Sequence, residues 1–153
     1  MEFIREINIV REFTFDNFMV IVKKIHDVSE ALIRSDRDDI KKKVNELDLA
    51  DKMKEIESLM NDINNLNIYK SIQSINHAAM ALHESIEKVH SDMNKLCVKL
   101  NDHSDKWFSY WRTVDYGKDM DDLVISEAIM NKRYTRLKDL LKINWNTFEK
   151  VEK

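Results

Sequence analysis

An apolar repeat between residues 68 and 114 is the clearest pattern in the sequence. Its positions alternate spacings of four and three residues without a slip, and His103 is the only seam residue that is not apolar. A strict seven-residue repeat keeps one apolar seam on one side of a helix, so it predicts a long helix with coiled-coil-type packing. The repeat leaves open whether the packing partner lies in this chain or in a second copy. The seam residues are Ile68, Ile72, Ile75, Ala79, Leu82, Ile86, Val89, Met93, Leu96, Leu100, His103, Trp107, Tyr110 and Val114.

Three further helices are predicted, over residues 2–34, 36–63 and 119–150. The first has a single apolar stripe in its second half, whereas its first half is apolar on more than one side. Such a half either sits between several helices or meets something outside the chain. Thr14 marks a position where this helix can divide into two pieces.

The second predicted helix follows Ser35, whose spacing to Asp38 resembles an N-terminal cap. Its apolar residues form two sets that point to nearly opposite faces, which is typical of a helix between two others. Asparagine tolerates the left-handed conformation, so the asparagine-rich segment 64–67 predicts a turn. The alternative is one continuous helix over residues 36–114. The two apolar sets are Ile40, Val44 and Leu47, and Leu49, Met53, Ile56, Met60 and Ile63.

The chain has 153 residues but only one glycine and no proline. Sheet folds need frequent turn residues, and nucleotide-binding α/β folds need glycine-rich loops, so both classes are excluded. We predict an all-α protein with one domain over residues 1–153. Its architecture is an elongated antiparallel helical bundle or coiled coil of three to four long helices.

The single glycine is predicted to separate the last two helices. Gly117 would end the long helix, and Asp119 would cap the next one. Folding the chain back at residue 117 places Tyr134 near Leu100 and gives an antiparallel hairpin.

A second hairpin is predicted at the asparagine-rich turn. Folding the chain back at residues 65–66 places Met60 near Ile72 and Met53 near Ala79, so apolar side chains meet.

Charge and cysteine content narrow the class of protein. The net charge of −3 gives no general attraction to nucleic acid or to anionic membranes. The single Cys97 cannot form a disulfide within the chain, which favours a reducing compartment. No apolar run is long enough to span a bilayer, and the N-terminus lacks a signal-peptide pattern. We therefore expect an intracellular protein, cytoplasmic or nuclear, that is not secreted.

His83, Glu87 and His90 lie on one side of the long helix and form the best candidate for metal binding. The segment 87–90 has the Glu-x-x-His spacing of di-iron bundles. That site would need a second such motif, which the sequence lacks, and Glu87 lies on the heptad position that faces away from the core. We expect these side chains to lie on a solvated flank, and we predict no metal, no cofactor and no catalytic residue.

Two groups of residues are predicted to contact a partner. One is the apolar first part of the chain, and the other is the aromatic cluster at the end of the long helix, where exposed aromatic rings would act as binding hot spots. His103 could fix the register or the oligomeric state, because a polar seam residue does so in coiled coils. The predicted interaction residues are Phe3, Ile7, Val10, Phe13, Phe15, His103, Trp107, Phe108, Trp111 and Tyr116.

The pattern as a whole predicts a non-enzymatic protein–protein interaction module, an oligomeric scaffold or adaptor subunit. Its expected partner is a second copy of the chain in a homodimer, a helical protein, or both, and no nucleic acid. The first alternative is an elongated dimer that lies on a membrane through residues 41–43 and the first helix. The second alternative is a four-helix-bundle protein that binds a metal or a small ligand.

Overall fold

The computed structural model describes residues 13–34, 37–67, 72–105 and 116–144, with side chains described up to residue 100 in the third range. These residues form α-helices, and no strand occurs among them. The predicted all-α fold class is therefore confirmed. The helices are α1 (Phe15–Ile33), α2 (Asp38–Leu47), α3 (Leu49–Asn65), α4 (Gln73–Asp105) and α5 (Gly117–Ile143).

Helix α1 begins later than the predicted range 2–34. Thr14 precedes it in an extended conformation, with φ −122° and ψ 131°. An extended residue cannot continue a helix, so α1 begins after Thr14. Residues 1–12 lie outside the described part of the chain.

Asp48 separates α2 from α3. The prediction of one helix over residues 36–63 is therefore wrong. The Asp48 backbone is left-handed, with φ 52° and ψ 39°, a conformation that aspartate adopts more readily than most residues. The break falls between the two apolar sets and turns both toward the same core. Ile40 and Val44 on one side of it, and Leu49 and Met53 on the other, are each no more than 3% exposed.

The backbone of Asp48 allows a direct test. Replacing Asp48 with Val is expected to lower the free energy of unfolding by about 1 kcal/mol, because a β-branched side chain clashes in the left-handed region. Replacing it with Gly removes that clash and should leave stability equal or higher. Chemical denaturation measures both variants, and equal stabilities for the two would show that Asp48 is not left-handed in solution.

The asparagine-rich turn is confirmed. Helix α3 ends at Asn65, and Asn67 has a positive φ of 54°. Helix α4 begins at Gln73, so the alternative of one continuous helix over residues 36–114 is wrong.

The apolar seam of α4 is buried inside this chain. Its seven consecutive positions between residues 75 and 96 are each 0% exposed, and they share one core with side chains of the other four helices. The repeat left open whether the seam packs against this chain or a second copy. At these positions its partners are helices of the same chain. These positions are Ile75, Ala79, Leu82, Ile86, Val89, Met93 and Leu96.

Helices α1 and α5 are the close neighbours of α4. The backbone N–H of Phe13 donates to Asn76 Oδ1 at 3.1 Å, and the rings of Phe18 and His83 lie 6.2 Å apart, so α1 runs parallel to α4. Helix α3 packs along α1 instead and reaches α5 through side chains. The predicted pairing of α3 with α4 around residues 65–66 is therefore not the main packing of α3.

The hairpin of α4 and α5 is antiparallel, but its predicted register is wrong. Arg133 Nη1 donates to the carbonyl oxygen of Ala81 at 2.6 Å. The prediction placed the neighbouring Tyr134 beside Leu100, about five helical turns further along α4. The two helices thus overlap over a different stretch than a fold at residue 117 would give.

The start of α5 also differs from the prediction. Gly117 is the first residue of α5 and does not have a positive φ, so it does not form the left-handed end of the preceding helix. Asp119 lies inside the first turn of α5, and the N-cap residue is Tyr116, so the predicted cap at Asp119 is wrong. Its carboxylate instead accepts a hydrogen bond from Lys99 Nζ at 2.5 Å, which joins the two helices.

Candidate interaction surfaces

The aromatic residues predicted at the start of α1 lie inside the bundle. Phe13 is 1% exposed; its ring lies 5.8 Å from the ring of Phe18 and meets His83 edge-on at 6.4 Å. Phe15 is half-buried and stacks on Phe18. These contacts attach α1 to α4. The predicted residues Phe3, Ile7 and Val10 lie outside the described part of the chain.

Tyr116, predicted as part of the exposed aromatic cluster, is buried by this chain itself. It is 5% exposed, and the guanidinium of Arg37 lies 4.8 Å from its ring centre. Burial raises the pKa of the Tyr116 hydroxyl above its usual value. The neighbouring predictions Trp107, Phe108 and Trp111 lie outside the described residues, and His103 lies in α4 with its side chain outside them.

His83 packs against Phe13 and Phe18 inside the bundle, whereas the sequence placed it on a solvated flank. His83 Nε2 contacts Glu87 Oε1 at 2.6 Å, while its buried Nδ1 has no hydrogen-bond partner. Burial, with a smaller contribution from Lys24, lowers the pKa of His90 below its usual value. Within the ranges that the structure describes, no group of three or more His, Cys, Asp or Glu side chains is arranged to hold a metal ion.

Buried carboxylates of α5 connect it to its neighbours. Glu127, with a side chain only 8% exposed, pairs with Lys52 of α3 and accepts a hydrogen bond from Asn131 Nδ2 at 2.6 Å. Tyr134 donates a hydrogen bond to Glu55 of α3 at 3.5 Å. A buried charge is tolerated only when it is paired, so these contacts select the arrangement of α3 against α5.

An apolar face of α5 points away from the core. Val124, Ile125 and Ile129 are 44%, 60% and 41% exposed, and Ala128 between them is exposed as well. At 100° per residue these four side chains share one side of the helix. A cluster of large exposed apolar side chains is more typical of a contact surface than scattered single ones. We call these four residues the α5 face.

The α5 face is bordered by opposite charges. Asp121 precedes it and Lys132 follows it, and both are exposed. Their spacing is close to three helical turns, so both charges lie on the same side of α5, roughly 16 Å apart along the helix axis. The face therefore carries an acid at one end, apolar side chains in the middle and a base at the other end.

The α5 face was missed in the sequence because the opposite side of α5 is apolar too. Met120, Leu123, Met130, Tyr134 and Leu137 are buried on that side. The sequence pattern can show that a helix has two apolar sides, as it does for the segment 40–63. The sequence alone does not say which of them the bundle covers.

None of the described helices is long and apolar enough to cross a membrane.

Comparison with known proteins gives little guidance on function. The sequence matches no protein-family model, and no solved structure matches it. A stretch of 56 residues is 38% identical to uncharacterized protein L717 of Acanthamoeba polyphaga mimivirus. That stretch is 37% of this chain and 27% of the viral protein, so the match spans about a quarter of that relative's length.

Proposed function

We propose that this chain is a non-enzymatic interaction module that associates with a second copy of itself through the α5 face and works as a scaffold or adaptor subunit. The exposed apolar residues Val124, Ile125 and Ile129 are the observation that carries the proposal. Leaving them in water costs roughly 25 cal/mol for each Å² of apolar surface, which pairing with another apolar surface would recover.

Charge complementarity supports a second copy as the partner. When two α5 helices meet antiparallel across a two-fold axis, Asp121 of each copy lies opposite Lys132 of the other, and the apolar residues meet between them. A parallel pair would place like charges opposite each other. Ala128 near the centre of the α5 face lets the two helix backbones approach closely.

The mass of the protein in solution tests self-association. Light scattering coupled to size exclusion is expected to give twice the monomer mass of 18.3 kDa. The double variant Ile125→Glu with Ile129→Glu should be monomeric, because buried unpaired carboxylates oppose association. Both residues are exposed in the monomer, so circular dichroism should show an unchanged helix content. Val20→Glu is the matched control, since Val20 is also exposed but lies on α1.

Charge reversal tests the antiparallel arrangement. Asp121→Lys alone should weaken the dimer, whereas Asp121→Lys combined with Lys132→Asp should restore it. A wild-type chain that stays monomeric at every concentration would overturn the proposal. Failure of the double reversal to restore the dimer would exclude this pairing of α5 with α5.

A further inference from the structure

A groove of about 580 Å³ lies between the beginning of α4 and the second half of α5. Apolar atoms of Ala78, Ala81 and Leu140 form part of its lining. The groove lies in the half of α5 that follows the α5 face, so it is a separate feature of the molecule. An organic molecule of modest size would fit against it.

The polar side chains of the groove favour a negative charge. Arg133 and Arg136 line it together with His77, and none of the described residues that line it carries a carboxylate. Throughout the described ranges, no acidic side chain lies within ion-pair distance of either arginine. Two guanidinium groups without a counter-charge are suited to bind phosphate or carboxylate oxygens.

Arg133 is held in place on the groove wall. Its Nη1 donates to the carbonyl oxygen of Ala81 at 2.6 Å, which ties the guanidinium of α5 to α4. A guanidinium carries five N–H donors, so this single bond leaves others for a ligand. Less conformational entropy is lost on binding when a recognition group is already positioned.

We propose that this groove binds a small organic phosphate ester, with the phosphate between Arg133 and Arg136 and the apolar part against Ala78, Ala81 and Leu140. A phosphate dianion offers enough acceptor oxygens to engage both guanidinium groups. The apolar lining gives the ester an advantage over the free ion.

Titration of the full chain with three probes tests the proposal. Phenyl phosphate is expected to bind saturably and more tightly than inorganic phosphate, and phenol is expected to bind far more weakly than either. Arg136→Ala should weaken the binding of phenyl phosphate about tenfold, as for a lost hydrogen bond to a charged group. Lys142→Ala is the matched control, since it removes one positive charge from the same helix outside the groove.

Arg136 is the chosen position because Arg133 also bonds α4, and its loss could disturb the hairpin. Circular dichroism checks that Arg136→Ala keeps its helix content. No saturable binding of phenyl phosphate, or equal weakening by Arg136→Ala and Lys142→Ala, would overturn the proposal. Binding to vesicles that contain phosphatidic acid, without binding of soluble phenyl phosphate, would also overturn it and point to a lipid surface instead.

Discussion

Replacing Lys52 with Met is expected to lower the free energy of unfolding by about 2 kcal/mol, because the change leaves a buried carboxylate without its counter-charge. Lys52 pairs with Glu127, whose side chain is only 8% exposed. Asn131 still donates one hydrogen bond to Glu127, and the Lys52 side chain is 33% exposed. Both facts place the expected loss below that of a fully buried pair.

A double-mutant cycle separates the lost charge pair from lost packing. Adding Glu127→Gln to Lys52→Met should recover most of the stability, since a neutral amide needs no counter-charge and can still accept the bond from Asn131. Lys54→Met is the matched control: Lys54 is an exposed lysine of the same helix, and its loss should cost a few tenths of a kcal/mol. Equal losses for the Lys52 and Lys54 variants in urea denaturation would contradict the packing of α3 against α5.

Tyr134 is expected to make stability fall at high pH. Burial, with a contribution from Glu55, raises the pKa of its hydroxyl from the usual 10 to about 12. The unfolded chain therefore releases this proton at a lower pH than the folded chain does. The contribution of Tyr134 is fully present below pH 10 and is lost as the pH rises through about 12, a change of about 2 kcal/mol.

Denaturation of wild type and Tyr134→Phe across this pH range measures the effect. Lysine side chains also titrate there, so the quantity to follow is the difference between the two proteins. That difference should shrink as the pH rises, because only wild type has the hydroxyl. Glu55→Gln should reduce the pH dependence of wild type, since it removes the nearby negative charge. A difference that stays constant up to about pH 12 would show that the Tyr134 hydroxyl is solvated.

The contact surfaces predicted from the sequence and those suggested by the structure differ for a physical reason. Phe13 and Tyr116 are large and apolar, and the same property that makes such residues binding hot spots also places them in cores. Whether such a residue lies in the core or at a contact surface depends on whether other parts of the chain pack over it. The α5 face is exposed only because the bundle covers the opposite side of α5.

Local pattern predicted the helical elements well. The seven-residue repeat predicted a seam, and its described positions from Ile75 to Leu96 are buried. The asparagine-rich segment predicted a turn, and Asn67 is left-handed there. Both features depend on neighbouring residues in the chain, so they can be read without knowledge of the fold.

The sequence by itself determined that this protein is built from long helices with buried seams. The scarcity of glycine and proline and the helical periodicity of the apolar residues were sufficient for that. Only the tertiary structure decided the break at Asp48, the register of α5 against α4 and the identity of the exposed face. The reason is that a seven-residue repeat matches itself after every heptad, so several registers bury equally apolar seams. Contacts between residues far apart in sequence, such as Arg133 with Ala81 and Lys52 with Glu127, distinguish those registers.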